Sequence, residues 1–469
     1  MNETPTATGL PLAFHGTIIH SLSPTNLQIL PNTFLLVDIS GTIQALLPNT
    51  DPSTINTLIA ENGYAPDVFP VKHLPTHSFL VPGFIDTHNH APQWAQRGVG
   101  RSLSLLDWLE NVTYAHEAKF EDVEYAKRTY SAAVDGLLNQ GITTASYYAS
   151  KHLPATKILA EVCRAKGQRA LIGRCNMNRH APGKCRDLNA GVSLKETADF
   201  IAWMREFNST SSSTSTSTSS DEQPPPLVNA VITPRFAISC DEKVLSGLGA
   251  LAASNPDLRI QTHFNEAEQE MEFTRQLFPN FKHEADLYTR FGLLNERSIL
   301  AHCIFLQEEE MEMLARLRCG VAHCPVSNTT MNAFMVAPVR EYLRRGIKVG
   351  LGTDSGGGYS ISMLEVMRAA FVVSTAKATE TRGADPALSV AECFFLATLG
   401  GAQVCGLDER VGNFAVGKEF DALEVRTGEG IMAPVEEGDS MEVIFEKFLM
   451  TGDDRNIAKV YVRGRAVKV

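Results

Sequence analysis

The sequence predicts an α/β fold, a (β/α)8 TIM barrel carrying a composite β-sandwich formed by the N- and C-terminal segments. Three observations point to it. In the middle of the chain, eight short apolar runs alternate with helical stretches, the pattern of parallel strands each followed by a helix. Both ends read instead as short strands separated by turns. Several of the eight runs end in His or Asp, at the strand termini where barrels place reactive groups.

In chain order, residues 1–77 supply "HGTIIHSL" and "TFLLVDISGTIQAL", with Ser40-Gly41 as a hairpin turn. Residues 78–410 carry the barrel. Its expected strands are 79–85, 143–147, 169–173, 229–233, 258–262, 298–301, 319–322 and 348–351. Helical stretches such as 123–139, 194–206, 308–317 and 363–376 separate them. "NSTSSSTSTSTSSDEQPPP", residues 208–226, lacks apolar content and ends in three prolines. It reads as a disordered surface insertion before the fourth strand. Residues 411–469 return to strand-like runs in "FDALEVR", "MEVIFEKFLM" and "NIAKVYVRGRAVKV".

Bulk properties narrow the function classes. With 44% apolar and 20% charged residues, the 469-residue chain has an ordinary globular composition and a core that needs no staples. A formal net charge of −11 without a dense Lys/Arg patch argues against a nucleic-acid partner, because that contact rests on phosphate neutralisation. Nine cysteines, an odd number without paired spacing, point to reduced thiols and a cytoplasmic setting. The opening "MNETPTATGLPLAF" has no signal-peptide pattern, and no apolar run approaches the ~18 residues of a membrane span.

The chemistry collects at the strand ends. His88 and His90, in "FIDTHNH", stand two apart on a strand and so project from one face. His263 closes the fifth strand, His302 the sixth, and Asp354 follows the eighth beside glycines. Imidazoles with a carboxylate suit a borderline divalent ion, zinc or alternatively iron. The expected ligands are His88, His90, His263 and Asp354, around one Zn²⁺ whose bound water is acidified. Glu266, three residues past His263, is either a helix N-terminal acid or a proton shuttle, and the neighbouring ligand favours the shuttle. His302 is left for hydrogen bonding to water or substrate, and Asp354 can take a proton as well as ligate. His323 is expected in a structural hydrogen bond, Asp86 in support of the turn, and His116 is left open.

"PGFIDTHNHAPQ", "ITPRFAISC", "QTHFNEAE", "LAHCIFL", "GVAHCPVSN" and "GLGTDSGGGYSISML" resemble the amidohydrolase superfamily and, within it, the guanine deaminases. The likeness covers most of 78–425. It implies a zinc-dependent, cytosolic homodimer that hydrolyses guanine to xanthine and ammonia, with Glu266, Asp354 and His302 as the catalytic set. It also implies that Gln93, Arg235 and Phe236 hold the purine. Gln offers a donor and an acceptor, Arg a planar fork, and Phe a flat apolar contact. Glu266 and His302 would also touch substrate, and Trp94 and Trp108 are either site lining or core. The fourth strand has no lysine to bridge two metals, and a cytidine-deaminase P-C-x-x-C motif is absent, so one metal per subunit is expected. The rivals are another purine, a pterin or a triazine as substrate, and a non-catalytic scaffold of the same fold. "RCNMNRHAPGKCRD" follows the family pattern only loosely.

Overall fold

The computed structural model describes residues 11–66, 70–210, 225–331 and 335–468. The first strands, β1 (Leu12–Ser23), β2 (Asn26–Val37) and β3 (Ile43–Leu47), form an antiparallel meander. Asp38 closes its second turn by accepting from the Ser40 and Thr42 amides at 2.8 and 2.9 Å. β4 (Val71–His73) and β5 (Phe79–Pro82) then run parallel to β1.

The barrel strands follow: β6 (Phe84–His90), β7 (Ile142–Tyr148), β8 (Arg169–Gly173), the short β9 (Cys175–Asn176), β10 (Val228–Pro234), β11 (Arg259–Phe264), β12 (Ser298–His302), β13 (Gly320–His323) and β14 (Lys348–Leu351). All pair in parallel, in the order β14-β13-β12-β11-β10-β8-β7-β6, with β9 on β10. The ends are drawn together by Thr87 Oγ1, which donates to Leu351 O (2.9 Å), and by the Asp354 amide, which donates to His88 O (2.9 Å). This is the expected (β/α)8 barrel.

The C-terminal strands β15 (Ala422–Val425), β16 (Ile457–Val462) and β17 (Arg465–Lys468) complete the first sheet, in the order β17-β16-β15-β5-β1-β2-β3. The two ends of the chain therefore share one hydrogen-bonded β layer. Phe14, Leu35, Leu80, Phe420 and Tyr461 pack in one cluster of it, and Phe34, Leu36, Ile55 and Ile59 in another.

Two expectations need correction. The apolar run 79–85 is not one barrel strand, because it divides at Gly83. The Gly83 amide bonds Asp421 O in the terminal sheet (3.0 Å), and the next amide, Phe84, bonds Gly141 O before β7 (2.9 Å). A Cβ at Gly83 would lie 2.2 Å from Thr143 Oγ1, so only glycine fits where the chain passes between sheets. The run "MEVIFEKFLM" is a helix, Met441–Thr451, and not a strand. Ser440 caps it by accepting from the Val443 amide, and Ile444, Phe445, Phe448 and Leu449 are buried at helical spacing. Phe445 meets Phe79 and Phe394 edge-on, so this helix packs onto the main core.

The helix Val123–Asn139 shows how the outer layer is specified. Asp122 caps two amides, and Ala126, Tyr130, Ala133, Val134 and Leu137 form its buried stripe. Of the expected insertion 208–226, residues 211–224 lie outside the described residues. All nine cysteines are buried and unpaired. Among the described residues, no helix is long and apolar enough to cross a membrane.

Candidate active site

The C-terminal ends of β6, β7, β11, β12 and β14 converge on one buried cluster. Alternation along β6 sends His88 and His90 to the same side, and their rings stand 4.9 Å apart. His88 Nε2 lies 3.2 Å from Asp354 Oδ1, and His90 Nε2 lies 3.7 Å from it. His90 Nε2 is also 3.0 Å from His263 Nε2. The ligating atoms of His88, His90 and Asp354 all fall within 4.8 Å of one another. So do those of His88, His263 and His302, and those of Glu266, His302 and Asp354.

The protonation pattern of the cluster fits a divalent cation. His263 Nδ1 is 2.6 Å from the Arg235 carbonyl oxygen, which can only accept. Nδ1 therefore carries the proton, and Nε2 turns a lone pair toward His90. His88 Nε2 is buried, and the polar atom it faces is Asp354 Oδ1. Burial lowers the pKa of His88, and lowers those of His90 and His263 well below the ordinary value, so the rings are neutral as ligation requires. Burial alone would raise the Asp354 carboxyl; the adjoining imidazoles, His88 above all, outweigh it and hold the group well below the usual range. Unpaired lone pairs and one carboxylate facing a common point make a donor set that a cation completes.

Two supports hold this cluster. Asp86 is fully buried and accepts from Thr353 Oγ1 (2.6 Å), the Thr353 amide (2.9 Å) and Asn89 Nδ2 (3.0 Å). It ties the end of β6 to the segment bearing Asp354, although burial pushes its pKa up to about 6. Asn265, His302, Cys303 and Asp354 all take left-handed backbone conformations, with φ of 46°, 71°, 51° and 45°. Strain of this kind concentrates where side chains must be aimed.

Glu266 lies beside the cluster, with Oε1 3.5 Å from His302 Nε2. Burial raises its carboxyl to about 7. The other nitrogen of His302, Nδ1, is 2.8 Å from Asn328 Oδ1. His323 is buried with its pKa lowered to about 3 by burial, and its Nδ1 has no partner among the described residues, so the expected structural hydrogen bond is not made there. His116 turns away to the Val112 carbonyl.

A pocket opens onto these groups, lined by His90, Gln93, Arg235, Phe236, His263 and Glu266 together with Leu105, Trp108 and Leu109. Gln93, Arg235 and Phe236 thus stand with the His/Asp cluster. Trp94 does not: the short helical turn Ala91–Gln96 carries it outward, where its ring packs on Gly136 and under Arg97. Trp108 lines the cavity in its place and donates its indole N–H to Val99 O (3.0 Å).

The sequence reading missed Glu117. This 3%-exposed carboxylate accepts from Arg235 Nη1 (2.5 Å), Arg235 Nη2 (3.0 Å) and Gln93 Nε2 (3.0 Å). Burial works against the Arg235 charge, but Glu117 more than offsets it and keeps the guanidinium protonated. The available signal was a stripe four residues apart, Leu105, Leu109, Thr113 and Glu117, running inward along a helical segment with a π-turn at Leu109–Thr113.

A family model described as the amidohydrolase family matches residues 79–467. The chain is 37% identical to guanine deaminase of Dictyostelium discoideum, over 97% of this chain and 98% of that one. It is 39% identical to a probable guanine deaminase of Schizosaccharomyces pombe, over 97% of this chain and 83% of that one. The chain belongs to the amidohydrolase family, among its guanine deaminases. This amidohydrolase superimposes on the crystal structure of guanine deaminase from C. acetobutylicum, solved with guanine in its active site, at a TM-score of 0.84. The identity there is 30%, with 97% of this chain and 99% of that chain covered.

Proposed function

We infer that the protein is a zinc-dependent guanine deaminase, which replaces the C2 amino group of guanine by oxygen and releases xanthine and ammonia. The observation that carries this reading is the pairing of two groups at one cavity: a buried His/Asp cluster with Glu266, and the Gln93–Arg235 edge two residues wide beside it. Full-length similarity to guanine deaminases supports it.

In this reading His88, His90, His263 and Asp354 hold one Zn²⁺ per subunit, three nitrogens and an oxygen being a donor set that zinc accepts. Such an ion supplies a nucleophile at neutral pH by acidifying water. Phe236 lies flat against the purine, while Arg235 donates to its carbonyl edge. Glu266, whose carboxyl keeps its proton up to about 7, protonates N3 and makes C2 electrophilic. Asp354 takes the proton released by the attacking water. Asn328 orients His302 so that its Nε2 faces Glu266 and the reacting groups. A C2–O bond forms, the C2–N bond breaks, and the protons passed among Glu266, Asp354 and His302 complete ammonia. Leu105, Trp108 and Leu109 keep bulk water out, which strengthens each of these contacts.

The nine buried, unpaired cysteines suit a reducing cytoplasm, and family resemblance supports a homodimer. The test is a panel of guanine, adenine, adenosine and cytosine assayed for ammonia, with and without a chelator. Ammonia from guanine alone, lost on chelation and restored by zinc, is expected. Release from a competitor but not from guanine would refute the substrate.

A further inference from the structure

Glu117 is spent on neither the metal cluster nor proton transfer, and its contacts are more specific than charge balance requires. A buried guanidinium needs a counter-charge, and Arg235 has one in Glu117. That need does not explain why Glu117 Oε1 also receives Gln93 Nε2 at 3.0 Å. An amide against a carboxylate oxygen can present only its NH2, because its carbonyl would be repelled. Glu117 thereby decides which end of Gln93 is left over. The remaining atom, Oε1, is buried without a hydrogen-bond partner among the described residues, on a side chain that lines the cavity. Gly356, at φ 109°, makes room for it: a Cβ there would lie 2.1 Å from Gln93 Oε1. A buried acceptor held in one orientation with no partner awaits a donor.

We propose that Glu117 is a specificity-determining positioning residue, which fixes the substrate edge of the cavity as one acceptor, Gln93 Oε1, beside the spare donors of Arg235. That pattern selects a ring bearing N–H next to a carbonyl, the N1–H and O6 edge of guanine. It disfavours a ring whose nitrogen there is bare, since two acceptors would then meet. The proposal rests on the guanine reading and specifies how the site enforces it.

The test compares guanine with 2-aminopurine, which keeps the C2 amino group but has a bare N1 and no 6-oxygen. Its own fluorescence reports binding even where turnover is slow. In Glu117→Gln, Gln93 can turn either way. In Glu117→Asp, the charge remains near Arg235 but the shorter side chain cannot span both partners, so this variant decides the matter alone if the first does not fold. In both, the preference for guanine over 2-aminopurine in kcat/KM should fall by about tenfold. The loss on guanine should lie mainly in KM, and 2-aminopurine binding should weaken less than guanine binding, with zinc content unchanged. Equal losses on both substrates, or an unchanged preference in a folded Glu117→Asp, would overturn the role of Glu117. Wild-type protein that releases no ammonia from guanine would instead overturn the substrate reading, and this proposal with it.

Discussion

One hydrogen bond sets the chemistry of His263: a carbonyl oxygen at Nδ1 leaves only a lone pair at Nε2. Glu266 is governed differently, by burial, which raises its carboxyl to about 7 and lets it carry a proton at working pH. Replacing it tests the assignment. Glu266→Gln keeps the shape and removes the transferable proton, so kcat should fall by about 10²- to 10⁴-fold while the metal content, measured by elemental analysis, stays that of the unaltered protein. Activity within a few-fold of wild type would remove Glu266 from proton transfer. His263 and His302 were legible because each closes an apolar run, His88 and His90 because they share a strand face, and Glu266 because it stands three residues past His263. For Glu117 the helical stripe marks only an inward-facing position, since its partners lie 24 and 118 residues away and nothing in "TYAHEAKF" announces them. Trp94 misled for a related reason, because the direction of a side chain in a single helical turn depends on packing that the sequence does not display.

At the scale of elements, the eight barrel strands were readable because they are buried on both faces and appear as continuous apolar runs. Continuity also concealed things. It hid the division of 79–85 between two sheets, where a backbone amide and a glycine set the boundary. It also made Met441–Thr451 look extended, although its buried positions follow a helical period. The long connection from β6 to the helix Val123–Asn139 is the element that covers the cavity, and Arg101 clips it down. Its guanidinium donates to Gly356 O at 2.9 Å and to Gly357 O, on the segment that follows Asp354 and frames Gln93. Arg101→Ala should loosen this cover while leaving the His/Asp cluster intact. We expect KM for guanine to rise by about tenfold with little change in thermal midpoint, measured by steady-state kinetics and calorimetry. A loss confined to kcat would mean that the clip acts on the reacting groups and not on substrate retention.

Across the whole molecule, the barrel and the terminal sheet are joined by a buried charge cluster on the side opposite the cavity. Arg169, at the start of β8, donates to Glu419 Oε2 (2.6 Å) and to both Asp421 oxygens (3.2 and 3.0 Å). Arg463 and Arg410 each reach Glu419 at 2.7 Å. Burial would raise the Glu419 carboxyl, but the three guanidinium groups, Arg169 foremost, outweigh it and bring its pKa down to about 2. A folded-state pKa below the ordinary 4.5 means that this contribution is fully present above about 4.5 and is lost as the pH falls from there through about 2. The difference corresponds to on the order of 3 kcal/mol. Urea midpoints should therefore drop steeply below about pH 4.5, with the terminal sheet separating from the barrel. Arg169→Met should cost about 3–5 kcal/mol at neutral pH, because two buried carboxylates lose their principal partner. It should also flatten the acid slope, since Glu419 would then titrate nearer to its ordinary value in the folded state. An equally steep acid slope in the variant would show that other carboxylates, and not this junction, govern acid unfolding.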